Sequence, residues 1–376
     1  MTNTDTLDVD ATAAQVIRLI EQGCEYVRIA IPGMKEIECL KKIKRKLRRN
    51  GFSVPLIADV HFNPKIAVEA AKIVEKVRIN PGNYQPSSGS SVRARKSSVS
   101  LKSGIPDLDK SSVLEQIADR LVPLLKICKE YGTAVRIGVN HGSLSQRILY
   151  QYGNTAEGMV ESLMEFAQIC REEGFDNLVL SLKASNTQLM IRSNRLLVEK
   201  MKQEGMEYPI HLGVTEAGAG DDGRLKSAIG IGSLLADGIG DTIRVSITET
   251  PENEIPVAYA ILQAIGVRIS RADFISCPTC ARTHFNIEET AVKIKSHLGH
   301  LTGLKIAVMG CVVNGPGEMA DADYGYVGGA RGKVMLYKGR DMVIKDVNEA
   351  DALETLIRLI KENGDWKEPP RMKNHP

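Results

Sequence analysis

The sequence predicts two joined folds, a TIM-type (β/α) barrel over residues 1–268 and a small α+β domain over residues 269–376. Two observations support this prediction. Short apolar segments alternate with longer amphipathic segments through the first two thirds of the chain, and polar residues occupy every second position of the short segments. This rhythm changes after the segment PVAYAILQAIG, near residues 267–272, which indicates a second domain there.

Seven short segments have the composition of β-strands: YVRIAI, LIADVHF, KVRINPG, TAVRIGVNHG, NLVLSLKAS, IHLGVTEAG and DTIRVSIT. Helix-like segments such as NPKIAVEAAKIVEK and AEGMVESLMEFAQICREEG lie between them, and the second closes at Gly174, as a helix with a C-terminal glycine does. Strand–helix alternation of this kind predicts parallel strands joined by crossover helices.

An open doubly wound sheet and a closed barrel both have this alternation. Successive side chains of a strand point to opposite faces, so the polar residues of these strands share one face. A doubly wound sheet covers both faces with helices and should be apolar on both, whereas a barrel has an interior with the active site at its mouth. The pattern therefore favours the barrel. The polar face contains Arg28, Asp59, His61, Arg78, Asn80, Arg136, Asn140, Ser181, Lys183, Arg244 and Ser246.

The chain opens with the polar stretch MTNTDT, which leads directly into a helix-like segment at residues 11–22. A loop of this kind normally follows a strand. We therefore expect that barrel strand 1 is missing from this chain, or that it lies upstream of Met1.

Five cations point into the predicted barrel: Arg28, Arg78, Arg136, Lys183 and Arg244. Buried charges need counter-charges, and Asp59 and Glu216 can neutralise only part of this group. The excess predicts an anionic ligand with at least two charges, and arginine forks suit phosphate oxygens. The alternative is an internal salt-bridge network without a ligand.

Lys183 also permits a different chemistry, because a lysine on a barrel strand can form a Schiff base as in a class I aldolase. Neighbouring arginines would lower its pKa, which suits either role. His61 is a candidate general acid oriented by Asp59, and Glu216 is a candidate proton donor if burial raises its pKa. Asn186, in SLKASN, is a further candidate for substrate binding. After the third strand, a serine-rich stretch carries Arg93, Arg95, Lys96 and Lys102, which could close over an anion.

The second domain contains a CxxC pair, Cys277 and Cys280, followed by Cys311 in GCVVNGPGE. The other cysteines, Cys24, Cys39, Cys128 and Cys170, lie in apolar contexts and are expected to be core residues. Three thiolates leave two alternatives open. His284 could complete a Cys₃His zinc site, or Glu318 could be the fourth ligand of a [4Fe–4S] cluster.

Composition limits the class of protein. The net charge is +3, so nucleic acid is not an expected partner, and the basic run KKIKRKLRRN is expected to be a solvated helix face. The chain has no apolar run long enough to cross a bilayer and no signal-like N-terminus, so we expect a soluble, cytoplasmic protein with reduced thiols. The polar, proline-rich tail from residue 365 is expected to be frayed.

Six motifs in order, RINPGN, RIGVNHGS, SLKASN, GVTEAG, CPTC-ART and GCVVNGPGE, resemble the hydroxymethylbutenyl diphosphate synthase family of the non-mevalonate isoprenoid pathway. The resemblance runs from Thr2 to about Gly364. It implies a reductive ring opening and dehydration of methylerythritol cyclodiphosphate by two electrons, with ferredoxin or flavodoxin as donor. It also implies a homodimer in which the active site lies between the barrel of one subunit and the cluster domain of the other.

The resemblance further implies roles for individual residues. Cys277, Cys280, Cys311 and Glu318 would bind a [4Fe–4S] cluster, with Asn314 beside the iron that meets the substrate. The positions that hold the diphosphate would be Arg28, Arg78, Arg136, Lys183, Arg244 and Ser246. Asn140 matches another substrate contact and Glu216 a proton donor. The Schiff-base chemistry has no place in this reaction, which uses no carbonyl imine.

Three features depart from the family pattern. The family normally has a strand that ends at the MTNTDT loop. The segment NHGSLSQRILYQYG resembles the large, plant-type branch, but the extra domain that this branch inserts before the cluster domain is missing. The serine-rich stretch also replaces a charged, helix-like segment.

Overall fold

The computed structural model describes residues 1–84, 110–313 and 315–369. The chain divides into two compact units, Met1–Ile265 and Gly266–Pro376. Arg93, Arg95, Lys96, Lys102 and Asn314, which the sequence singled out, lie outside the described residues. No helix of the described part is long and apolar enough to cross a membrane.

In the first unit the described chain alternates between short strands and helices. The strands are β1 (Val27–Ala30), β2 (Leu56–Asp59), β3 (Lys76–Ile79), β4 (Ala134–Asn140), β5 (Leu178–Lys183), β6 (His211–Leu212) and β7 (Thr242–Ile243). The helices are α1 (Val9–Glu21), α2 (Met34–Arg49), α3 (Pro64–Ala71), α4 (Pro81–Tyr84), α5 (Lys110–Tyr131), α6 (Gln146–Tyr152), α7 (Ala156–Glu172), α8 (Thr187–Gln203), α9 (Gly220–Ala236) and α10 (Pro251–Ala264).

These strands are parallel and follow each other in sequence order. Strands β1 to β5 form one sheet, and β6 pairs with β7 in a second. A bridge between Leu180 and Ile210 links the two sheets. A doubly wound sheet would reverse its strand order at a switch point, whereas a barrel keeps neighbours in sequence as neighbours in space. The order seen here is that of a barrel.

The N-terminal segment lies beside β1. The amide of Thr2 donates to the carbonyl of Arg28 (3.0 Å), and the Thr6 hydroxyl donates to the carbonyl of Ala30 (2.8 Å). In residues 1–84 no strand precedes α1. The polar stretch MTNTDT, which was expected to follow a missing strand, is therefore hydrogen-bonded to β1 at the edge of the sheet.

The alternation predicted along the strands is confirmed. Val27 and Ile29 of β1 and Val77 of β3 are fully buried in one apolar core with the helices. The basic helix α2 joins this core through Ile37, Leu40, Ile43 and Leu47, and most of its basic side chains are exposed, as expected. Helix α7 ends before Gly174, whose φ of +60° is the left-handed conformation of a helix-terminating glycine.

The strand register places the polar residues in rows. Asp59 is the Cα partner of Arg78, and Arg78 is the partner of Arg136. One level higher, Asn140 is the partner of Lys183. Since partnered residues of neighbouring strands point to the same side, these side chains converge inside the barrel.

The second unit is a five-stranded mixed sheet with the strand order β12-β11-β10-β9-β8. The strands are β8 (Asp273–Ser276), β9 (Lys305–Met309), β10 (Tyr324–Gly328), β11 (Lys333–Lys338) and β12 (Asp341–Asn348). Its helices are α11 (Ile287–Leu298), α12 (Gly315–Glu318) and α13 (Glu349–Glu362). Strands β8, β9 and β10 are parallel, whereas β11 and β12 are antiparallel to their neighbours.

Two features of this unit differ from the sequence prediction. The edge strands β8 and β12 were not predicted, because their residues are half exposed and carry charges. The tail is not frayed at its start, because Trp366 packs against the core of this unit. Its ring lies 5.1 Å from that of His300, and the ammonium of Lys361 lies 4.6 Å above it.

Candidate active site

A single polar cavity inside the first unit collects most of the residues that the alternation predicted. It is lined by Arg28, Asp59, His61, Arg78, Arg136, Gly138, Asn140, Ser181, Lys183, Thr215, Arg244 and Ser246. All five predicted cations are among them. The period of two along the strands was therefore sufficient to find the cavity.

Asp59 organises the floor of this cavity. Its Oδ1 accepts a hydrogen bond from Arg78 Nη1 (3.1 Å), and its Oδ2 lies 3.8 Å from Arg28 Nε. Burial would raise the pKa of Asp59, but the charge of Arg28, the hydrogen bond from His61 and the charge of Arg78 hold it well below its usual range. Asp59 is therefore ionised at neutral pH, and its carboxylate contacts two cations, Arg28 and Arg78.

His61 sits beside this carboxylate, half exposed at the cavity. Its Nε2 lies 3.3 Å from Asp59 Oδ2, and its Nδ1 lies 3.4 Å from the side-chain nitrogen of Asn83. Nη1 of Arg78 also lies 3.0 Å from the same Nε2, so this nitrogen faces both a donor and a carboxylate, and a single neutral tautomer cannot satisfy both. His61 is thus held between Asp59 and Arg78, and its orientation by Asp59 stays a prediction.

The remaining cations are poorly compensated. Arg244 reaches Glu254 at 3.4 Å, but its buried Nε has no hydrogen-bond partner within the described residues. Arg28 donates to the sulfur of Met1 at 2.8 Å, and a thioether is a weak acceptor. Two carboxylates thus face five cations among the described side chains. A buried set of charges so unbalanced is the environment that binds an anion.

The pKa values of these groups reflect the same excess of buried positive charge. Burial, together with the positive charges of its neighbours, lowers the pKa of Arg28 to about 10. Burial and the neighbouring arginines also hold the pKa of Lys183 well below its ordinary value, as the sequence predicted. A bound anion would relieve both effects.

Two glycines make room for the cations. A side chain on Gly138 of β4 would place its Cβ 2.7 Å from Arg78 Nε. A side chain on Gly213 would place its Cβ 2.7 Å from Lys183 Nζ and 2.5 Å from the carbonyl oxygen of Arg244. Each glycine therefore leaves space that a cationic side chain occupies.

Three predicted site residues do not line the cavity. The amide nitrogen of Asn80 donates to Ser143 Oγ (2.8 Å), and the oxygen of Asn186 caps α8 by accepting from the amide of Leu189 (2.9 Å). Glu216 is exposed, in a left-handed conformation with φ of +54°. Its expected role as a counter-charge in the barrel is wrong, and Glu254 at the start of α10 pairs with Arg244 instead.

Sequence reasoning also missed His211, which is buried behind the cavity. Its Nε2 lies 3.2 Å from Lys183 Nζ. A signal was present, because His211, Gly213 and Thr215 alternate along IHLGVTEAG in the period that identified the other strands.

In the second unit, two of the predicted ligands leave neighbouring parallel strands. Cys277 follows β8 directly, and Cys311 follows β9 after Gly310. The amide of Gly310 donates to Cys277 Sγ (3.2 Å). The Cα of Gly315, the first residue of α12, lies against Met309, where β9 ends, since a Cβ there would be 3.0 Å from that of Met309. The turn that leads to Glu318 therefore folds back toward the strand that delivers Cys311.

Cys280 lies on the exposed loop after β8. The amide of Cys280 donates to Thr283 Oγ1 (3.2 Å), and the amide of Thr283 donates to the Cys280 carbonyl (3.0 Å). A hydrogen bond from the backbone amide of Arg282 lowers the pKa of the Cys280 thiol. This loop therefore presents a thiol that ionises readily, as a metal ligand must.

The described residues contain no group of three or more His, Cys, Asp or Glu side chains gathered around one metal-ion position. Strands β8 and β9 are parallel neighbours, so Cys277 and Cys311 leave the sheet at the same end. The amide of His284 donates to the carbonyl of Gly310 (3.3 Å), which places His284 next to the strand that leads to Cys311.

Fold and site together define a class of protein, an α/β-barrel protein with a cation-lined cavity and a second domain that presents three cysteines. Family models agree with this description. The GcpE TIM-barrel domain matches residues 1–259, and the GcpE protein C-terminal domain matches residues 273–362. The chain belongs to the GcpE family.

Curated relatives cover almost the whole chain. A Picosynechococcus protein is 52% identical over 99% of this chain and 89% of its own length. A Synechococcus elongatus protein is 53% identical over 98% of this chain and 88% of its own length. A Synechocystis protein is 52% identical over 98% and 89%, respectively. All three are named 4-hydroxy-3-methylbut-2-en-1-yl diphosphate synthase (ferredoxin).

Proposed function

We propose that this chain is an iron–sulfur oxidoreductase that converts 2-C-methyl-D-erythritol 2,4-cyclodiphosphate to 4-hydroxy-3-methylbut-2-enyl diphosphate. The observation that carries the proposal is the cavity lined by five cations and one carboxylate, in a chain whose relatives bear this enzyme's name. A cyclic diphosphate is a doubly charged anion that such a cavity suits. The aldolase alternative is not favoured.

The reaction balances with two electrons and two protons, counted on neutral species. The bond between a ring carbon and its phosphate oxygen breaks, which gives a linear diphosphate, and one hydroxyl leaves as water. Ferredoxin would supply the electrons, as the names of the relatives indicate for those proteins. Flavodoxin is a second candidate donor.

The barrel residues bind and orient the diphosphate in this proposal. The arginines offer paired N–H groups to phosphate oxygens, and Lys183 offers an ammonium. Ser246 and Asn140 line the same cavity and can donate further hydrogen bonds. The diphosphate would neutralise charge that Asp59 and Glu254 leave uncompensated.

Proton transfer is assigned to His61 and Glu216. The ring of His61 lines the cavity beside Asp59, and in this proposal it would donate a proton to an oxygen of the substrate after that nitrogen leaves Asp59. Glu216 directly follows Thr215, which lines the cavity, so the exposed carboxyl could reach a substrate in the mouth. Asn80 and Asn186 could contact the substrate only after breaking their hydrogen bonds to Ser143 and to the amide of Leu189.

The second unit would hold a [4Fe–4S] cluster through Cys277, Cys280, Cys311 and Glu318, with Asn314 next to it. The amide of Gly310 donates to Cys277 Sγ, and the lowered pKa of Cys280 supports a thiolate ligand at that position. When bound, such a cluster transfers electrons one at a time and can leave one iron without a cysteine ligand. A carboxylate at Glu318 would be an exchangeable fourth ligand.

Iron and sulfide analysis of anaerobically purified protein, followed by turnover of the cyclodiphosphate with a strong one-electron donor, tests the proposal. About four irons per chain and a broad absorption near 400 nm are expected for the cluster. Stoichiometric zinc without iron would contradict it. The homodimer and the cytoplasmic location also remain predictions, to be tested by sedimentation and by fractionation.

A further inference from the structure

Lys183 has one polar side-chain partner among the described residues, and that partner is a histidine. Lys183 ends β5 and lines the cavity, and its Nζ lies 3.2 Å from Nε2 of His211. His211 begins β6, is 5% exposed and does not itself line the cavity. It can act on a ligand only through Lys183.

A third residue, Thr242, contacts the other ring nitrogen of this histidine. Nδ1 of His211 lies 2.9 Å from the hydroxyl of Thr242, its Cα partner on β7. An ammonium can only donate, so Nε2 must accept from Lys183, and the proton of a neutral ring must then be on Nδ1 and be donated to Thr242. The three side chains form one directed hydrogen-bond chain across β5, β6 and β7.

The backbone around the pair restricts its movement. The hydroxyl of Ser181 donates to the carbonyl of His211 (2.8 Å), which ties β6 to β5. Gly213, two residues further along, lies against the end of the Lys183 side chain, where a Cβ would come within 2.7 Å of Nζ. The ammonium is therefore held between a ring nitrogen and a bare stretch of backbone.

The neutral charge of the partner matters for binding. The charged groups that face Lys183 are the cations Arg244, Arg136, Arg28 and Arg78. A carboxylate next to Lys183 would cancel the charge that an anionic ligand needs. A neutral imidazole accepts one N–H and leaves both the positive charge and the other donors free.

We propose that His211, whose Nδ1 is held by Thr242, is a positioning residue that aims the Lys183 ammonium at the phosphate of the substrate. This inference rests on the proposed function of the cavity as a diphosphate site. Its role is to orient Lys183, so its loss should weaken anion binding more than it slows the bound substrate.

Calorimetric titration of the full chain with inorganic pyrophosphate tests the inference without turnover. His211→Leu removes the acceptor and should weaken binding about 10- to 100-fold, the effect of losing a hydrogen bond to a charged group. His211→Gln keeps an acceptor oxygen and should stay within about threefold of wild type. In turnover, His211→Leu should raise KM by a larger factor than it lowers kcat.

Two further variants keep the test decisive. Thr242→Val leaves the buried Nδ1–H of His211 without its acceptor and should weaken pyrophosphate binding several-fold. This variant serves as the test if His211→Leu does not fold. Ser193→Ala removes a buried hydroxyl that donates to the Leu189 carbonyl (2.7 Å) and should leave binding unchanged.

The outcomes separate the two claims. If His211→Leu and Thr242→Val both bind pyrophosphate as tightly as the wild type does, the role of His211 is overturned and the anion site is left intact. If Ser193→Ala loses as much affinity for pyrophosphate as Thr242→Val does, the loss reflects general destabilisation. That outcome would also overturn the role of His211. Wild-type protein that does not bind pyrophosphate would overturn the anion site itself, and the inference with it.

Discussion

Arg78 Nη1 donates a hydrogen bond to Asp59 Oδ1 across 3.1 Å, between side chains that are only 5% and 3% exposed. The same carboxylate lies 3.8 Å from Arg28. One buried anion thus compensates two cations at the floor of the cavity. This pairing keeps the cavity folded without a ligand, while Arg136 and Lys183 retain their charge for one.

Replacing this anion should destabilise the fold. Asp59→Asn leaves Arg28 and Arg78 buried without a counter-charge, and removing one partner of a buried pair costs about 3–5 kcal/mol. Urea unfolding measures the loss. Asp237→Asn breaks the exposed pair with Arg195, at 2.8 Å, and should cost less than about 1 kcal/mol. Equal losses in the two variants would contradict the role given to Asp59.

The same pair predicts an acid response. The pKa of Asp59 is lowered from its ordinary value of 3.8, so its contribution to stability is complete above pH 3.8 and is lost as the pH falls toward the folded value. Unfolding free energies measured from neutral pH downward should therefore fall less steeply in Asp59→Asn than in wild type. Parallel curves would exclude Asp59 as a source of acid sensitivity.

Gly138→Ala should weaken substrate binding by displacing a cation. Its Cβ would lie 2.7 Å from Arg78 Nε, so the guanidinium must move away from its position at Asp59. We expect KM to rise about tenfold, as for the loss of one charged hydrogen bond. Gly142→Ala is the control, because no atom lies within 4 Å of its added Cβ. An unchanged KM in Gly138→Ala would mean that Arg78 does not contact the substrate.

Binding of a diphosphate should take up protons at alkaline pH. Burial and the neighbouring arginines lower the pKa of Lys183, and a bound anion raises it again. At a pH between the pKa of Lys183 in the free protein and its pKa in the complex, binding protonates Lys183. The affinity for the diphosphate therefore falls as the pH rises above the pKa in the free protein. Calorimetry in buffers of different ionisation enthalpy measures the uptake. Lys183→Met should take up fewer protons than wild type, and equal uptake would assign the proton to another group.

The cluster ligands can be separated from the other cysteines. Cys280→Ser should lose most of its iron and its absorption near 400 nm, because serine is a poor ligand for a group held by thiolates. Cys39→Ser, at a half-buried cysteine on α2, should keep both. Full iron content in Cys280→Ser would remove Cys280 from the ligand set.

The period-2 pattern predicted the cavity because a barrel strand has only two faces. Arg78 and Arg136 could be assigned to the interior from their apolar neighbours alone, and the register of β3 and β4 brings them level. Glu254 could not be predicted in this way, because it lies on a helix and reaches Arg244 from outside the strand pattern. His211 alternates with Gly213 and Thr215 in the predicted strand IHLGVTEAG, but the period does not show that it lies behind Lys183 and not on the cavity wall.

The local sequence also could not distinguish side chains that are free to contact a ligand from side chains that make hydrogen bonds within the protein. Asn80 continues the alternation of its strand, but its amide is used by Ser143 on a distant turn. Asn186 follows Lys183 by three residues, but it caps the helix that begins at Thr187. The motifs gave the right elements, and tertiary hydrogen bonds decided which side chains remained free for a ligand.

The central claim is that the cationic cavity binds a cyclic diphosphate that is opened by two electrons. Anaerobic turnover of the cyclodiphosphate by reconstituted protein with reduced ferredoxin tests it most directly, when product and oxidised ferredoxin are counted together. We expect one linear diphosphate for every two ferredoxins oxidised, and loss of this activity in Arg136→Gln but not in Arg195→Gln. Protein that carries its cluster but forms no product, or an Arg136→Gln variant as active as wild type, would contradict it.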